Sequence, residues 1–99
     1  MSDRRAAVAV LWRDHVDAAF PAGLRGAEPE GVDLVLLDAY LAGCVSVWRN
    51  NGGRLDAERH RILLACAADL DRVLPGISDA EERRYLLRLR RLAALTAVP

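Results

Sequence analysis

Lysine is absent from this chain: all 14 basic residues are arginine, set against 14 acidic ones for a formal net charge of zero. A balanced charge provides no overall field to draw in nucleic acid or an anionic membrane. Arginine alone suits bidentate recognition of phosphate or carboxylate. Beside so much alanine and leucine, it reads first as the compositional bias of a GC-rich, bacterial genome. Cysteine is scarce as well. Cys44 and Cys66 stand far apart on apolar helix faces, which points to reduced core thiols rather than a disulfide. Neither they nor His15 and His60 show the short ligand spacing of a zinc site, so no metal is expected.

Long hydrophobic runs are missing too. Arg4 and Arg5 followed by the apolar residues 6–12 imitate a signal peptide, but Arg13, Asp14 and Asp17 follow at once and the apolar run is at the minimum length. The stretch 32–48 holds Asp33 and Asp38 and is too short to span a bilayer. A cytoplasmic protein without a membrane partner is the expectation. No Pro- or Ser-rich tract occurs, and 53% of residues are hydrophobic against 28% charged, which excludes a disordered chain.

The signatures of catalysis are lacking in turn. Glu-x-x-His, the mark of a di-iron bundle, occurs nowhere. Asn51-Gly52-Gly53-Arg54 has no phosphate-loop pattern and no strand leading in, so it reads as a helix–helix turn. Asp14 and Asp17 lie on a polar face, and Asp69 and Asp71 do not share one. No catalytic residue and no cofactor is nominated, and the balance leans away from an enzyme.

What is present is helical periodicity interrupted by breakers. The pattern predicts an all-α, compact four-helix bundle-like domain over residues 1–99, mostly antiparallel, with helices at about 3–20, 32–50, 56–74 and 79–97. Ser2 is placed as the cap of the first helix and Pro21 as its end. Residues 21–31, with two prolines and three glycines, form a long loop. Asp56 caps the third helix, Pro75-Gly76 stops it, and Ser78 with Glu81 forms a capping box for the fourth.

Three helices read as one-sided. The first gathers Val8, Leu11, Trp12, His15, Val16 and Ala19; the third Ile62, Leu63, Cys66, Leu70, Val73 and Leu74; the fourth Tyr85, Leu86, Leu89, Leu92 and Ala93. The second has two apolar stripes. Leu34, Leu37, Leu41, Cys44, Val45 and Trp48 form one, and Leu36, Tyr40, Gly43 and Val47 the other, leaving Asp38, Ser46, Arg49 and Asn50 with Val35, Ala39 and Ala42 to mark a solvent side. Either this helix is central and buries both stripes internally, or the second stripe meets another subunit, with Gly43 permitting close approach.

Polar candidates are few. His15, in the middle of an apolar face, is expected to be a core histidine bonded to a carbonyl or carboxylate, and His60 to sit at the solvent edge. On the fourth helix Arg83, Arg84, Arg88, Arg90 and Arg91 fall within nine residues, interleaved with Leu87. Residues 1–50 carry five Arg against seven acids and residues 51–99 nine against seven, so internal pairing has partners available. The leading expectation is a non-enzymatic interaction module, an adaptor, regulator or inhibitor-like protein that is possibly homodimeric. Its contact residues would be Leu36, Tyr40 and Val47 on the second helix, or Arg84, Leu87, Arg88 and Arg91 on the fourth. The alternatives are a nucleic-acid-associated regulator using the arginines and a small ligand-binding or enzymatic protein with a pocket near Trp12, His15, Tyr40 and Trp48.

Overall fold

A computed structural model describes residues 2–98. It is all-α, with four helices: α1 (Ser2–Asp17), α2 (Leu34–Asn50), α3 (Ala57–Val73) and α4 (Ala80–Ala97). The cap expected from the Ser2 side chain lies outside the described residues. The other three N-termini are each held by an aspartate. Asp33 accepts from the Leu36 N–H, Asp56 from Arg59 and Asp79 from Glu82, satisfying amides that no earlier carbonyl can reach.

Three boundaries differ from the sequence expectation; α2 begins at Leu34 rather than Val32, with Asp33 as its cap. α1 stops at Asp17 rather than Phe20, because a residue preceding proline is pushed out of the helical region, and Phe20 precedes Pro21. The fourth helix is capped by Asp79, not Ser78; the carboxylate wins the adjacent position, where it also meets the positive end of the helix dipole. Between α1 and α2 the long loop is built on two 3-10 turns, Ala22–Leu24 and Pro29–Gly31. Buried Leu24 and Val32 anchor it to the core.

The helices run alternately up and down. Arg4 donates to the Val98 carbonyl at 3.0 Å and His60 Nε2 to the Ala97 carbonyl at 2.8 Å, so α1 and α3 both lie antiparallel to α4. Arg83 bonds the Leu74 carbonyl, and Arg90 grips Asp71 with two bonds of 2.7 and 3.1 Å. The central helix is α4, which packs on α1, α2 and α3, whereas α2 packs chiefly on α3 and α4. That corrects the expectation of α2 at the centre. All five predicted apolar residues of α4 are buried, and Thr96 joins them by returning its hydroxyl to the Leu92 carbonyl. On α1, by contrast, Val8 and His15 are the buried positions while Val16 faces out, as do Ala19 beyond its end and Ile62 on α3. With one neighbour of consequence, α1 has no second surface to cover the far side of its stripe.

Cys44 and Cys66 are free and buried. Burial pushes the Cys66 thiol up to about 11, and it raises Cys44 as well. No helix among the described residues is long and apolar enough to cross a membrane.

The cap assignment is testable by denaturant unfolding. Asp79→Ala should cost about 1 kcal/mol and Ser78→Ala less than about 0.5 kcal/mol; the reverse order would restore Ser78 as the cap.

Candidate functional site

Asp38 joins three helices through side-chain hydrogen bonds. Its carboxylate accepts from His15 Nε2 at 2.9 Å and from the Tyr85 hydroxyl at 2.5 Å, joining α2 to α1 and α4. The Asp38 side chain is only 17% exposed and that of His15 6%. The sequence reading had Asp38 mark a solvent side, which the structure corrects. The signal was present: Asp38 lies one turn from Leu34 and Leu41 and a heptad from Val45, inside the buried stripe. It needs partners there, since an unpaired buried carboxylate is costly. His15 meets the expectation of a core histidine bonded to a carboxylate. Trp12 and Tyr85 rings lie 6.1 and 5.1 Å from its own, and Nδ1 is buried without a partner. Burial first, then the Asp38 hydrogen bond, raises the Tyr85 hydroxyl far above the ordinary tyrosine value.

With Asp38 turned inward, the outward face of α2 has no charge between Asp33 and Arg49. Val35, Leu36 and Tyr40 are 42%, 47% and 54% exposed, with exposed Ala39 and Gly43 among them and Val47 half-buried. Of the predicted contact residues on this helix, Leu36 and Tyr40 therefore stand open to solvent, while Val47 is partly covered. Beside them Leu36 and Tyr40 border a hollow of about 320 Å³ shared with Asp33, Cys66, Asp69 and Arg72.

The α4 arginines divide into two sets. Arg83 and Arg90, on one edge, are tied to Leu74 and Asp71 of the α3 side, as internal pairing would have it. Arg84, Arg88 and Arg91 have no carboxylate partner among the described residues. Arg84 and Arg88 line a groove of about 510 Å³ with Phe20, Pro21, Glu81 and Tyr85, at the end of α1. Leu87 and Arg91 are exposed on α4 and are not part of its lining. Sequence periodicity found the arginines but not the groove, because the loop that completes it has no period to read.

A second cavity of about 510 Å³ lies at the far end, between Trp48, Gly53, Leu55, His60 and Thr96. Gly53 adopts φ +81° with its backbone against the Trp48 ring, a conformation that favours glycine. None of these three hollows unites Trp12, His15, Tyr40 and Trp48: Trp48 borders the far cavity and Tyr40 the α2 hollow, while His15 is hydrogen-bonded to Asp38 at 2.9 Å. Among the described residues no three His, Cys, Asp or Glu side chains gather as metal ligands.

The junction makes two measurable claims. Asp38→Ala should destabilise by about 2–4 kcal/mol, because it strands two buried donors, and Tyr85→Phe by about 1–2 kcal/mol. The raised Tyr85 hydroxyl contributes stability that is complete below the ordinary tyrosine value of about 10 and is lost as pH climbs above it. Alkaline unfolding followed at 295 nm should therefore be shallower in Tyr85→Phe than in the parent chain. An unchanged alkaline limb would contradict the buried, Asp38-bonded placement of the Tyr85 hydroxyl.

The chain matches no protein-family model, and neither a curated protein nor a solved structure similar to it was found.

Proposed function

We propose that this chain is a non-enzymatic protein-interaction module whose contact surface is the outward face of α2, and that the surface is met by a second copy of itself. The observation that carries the reading is the uncharged face itself: Val35, Leu36 and Tyr40, large and exposed, with no charged side chain between Asp33 and Arg49 pointing outward. Scattered exposed apolar residues are ordinary, but a contiguous uncharged helix face is characteristic of contact surfaces.

A second copy suits this face for two reasons. A two-fold interface sets the same patch against itself, and a face without charge meets its copy without repulsion. It also carries side chains and a recess side by side: Leu36 and Tyr40 stand at the edge of the α2 hollow, so each copy offers a side chain to the other's recess. The charges at the rim are Asp33 and an Asp69–Arg72 pair closed within the protomer at 2.8 Å, so little unbalanced charge opposes the copy. Tyrosine at the centre of such a contact is a common energetic anchor. Two buried free thiols support a reducing, cytoplasmic setting.

Light scattering coupled to size exclusion tests the proposal directly. The chain should run as a dimer or a concentration-dependent mixture, and Leu36→Glu or Tyr40→Glu should give a monomer with unchanged helicity. Gly43 separates contact from folding. A β-carbon there comes within 4 Å of no neighbouring side chain or other element of the protomer, and replacing a helical glycine stabilises the helix by up to about 1 kcal/mol. Gly43→Leu should therefore leave the protomer at least as stable while weakening self-association. A monomer at about 1 mM, where an association of ~4 kcal/mol would register, overturns the homodimer.

A further inference from the structure

The groove on α4 shares no residue with the α2 hollow. We infer that it is a binding site for a small organic anion, one whose phosphate or carboxylate group is carried on a flat, apolar body.

The floor of the groove is aromatic. Phe20 and Tyr85 pack edge to face with centroids 5.4 Å apart. Each ring carries a guanidinium, Arg25 over Phe20 at 5.3 Å and Arg88 over Tyr85 at 5.4 Å. Arg84, one turn before Arg88, lines the same groove. None of these three arginines has a carboxylate partner among the described residues, although Arg83 and Arg90 on the same helix have both found acceptors.

Arg88 is set rather than free. Its guanidinium stands over the Tyr85 ring, and its Nε is shut off from water with no acceptor. Only the terminal nitrogens remain to meet a ligand. A guanidinium held in this way loses little rotamer freedom on binding, and two neighbouring forks match the oxygens of phosphate or carboxylate. Glu81 is the one acid of the lining, a turn before Arg84 and Tyr85, so the groove is polar along its length. The anionic head belongs at the Arg84–Arg88 end and the apolar body against half-buried Phe20 and Pro21, beside the Tyr85 ring that lies under Arg88. A volume of about 510 Å³ is that of a small-molecule site.

Three probes at low ionic strength test this by amide chemical-shift titration: phenyl phosphate, benzoate and inorganic phosphate. Phenyl phosphate or benzoate should move the amides of residues 18–22 and 81–88. Inorganic phosphate should bind at least about fivefold more weakly than phenyl phosphate, since it cannot use the aromatic floor. Arg84→Ala with Arg88→Ala should weaken the aromatic probe by about tenfold or more, and Arg91→Ala, equally cationic but outside the groove, by less than about twofold. Should the double variant fold poorly, Arg84→Glu at an exposed position should show the same loss. Equal affinity for phenyl phosphate and inorganic phosphate, a loss in Arg91→Ala as large as in the double variant, or no shift with either aromatic probe overturns the site.

Discussion

Asp38 enters a largely apolar interior and finds two donors there, His15 on α1 and Tyr85 on α4, both within hydrogen-bond distance of separate carboxylate oxygens. A carboxylate so placed tolerates few alternatives. Rotating α2 by one residue about its axis would swing the group some 100° away, leaving a buried phenol and imidazole without their acceptor, at a cost of about 1–3 kcal/mol for each. The apolar core is more permissive, because leucines can repack around a changed volume. The hydrogen-bonded carboxylate therefore selects one rotation of α2 where hydrophobic pattern alone would allow two.

That choice follows from the composition of α2. Its apolar arc is too wide for one interface, and either half could have been buried. Leu34, Leu37, Leu41, Cys44, Val45 and Trp48 share their side with Asp38, and this side is the one turned inward. Leu36 and Tyr40 remain outside as the counterpart of the same rotation. α4 takes the central position instead, surrounded by α1, α2 and α3, with its arginine stems spreading to either side of a buried leucine ridge in the manner of long cationic side chains.

The legible part of the molecule is the part with a period. Four helices, the cap of α3 at Asp56 and its end before Pro75, and the buried stripes of α3 and α4 follow from spacing and breakers with few exceptions. The exceptions have physical causes. Asp79 outcompetes Ser78 one residue away, and Val16 and Ala19 lack a neighbour to cover them. What a wheel cannot show is which helix lies at the centre, since that depends on pairings between helices rather than on any one of them. Asp38 lies inward against the expectation from its charge, because its position between Leu34, Leu41 and Val45 puts it on the buried stripe. The groove was not legible because half of it is a loop, whose Phe20, Pro21 and Ala22 carry no repeating pattern.

The two surfaces are linked through one side chain. Tyr85 is bonded through its hydroxyl to α2 and presents its ring as the floor of the groove, with Arg88 stacked upon it. The orientation that exposes Leu36 and Tyr40 on α2 is thus the orientation that holds Tyr85, and with it Arg88, in place. A ligand in the proposed groove would bear on Tyr85 through Arg88, and so on the same carboxylate that sets α2. Coupling of this kind needs a contact whose strength differs between two arrangements, and a single carboxylate shared between α1, α2 and α4 is the contact in this fold where such a difference would be felt by both surfaces.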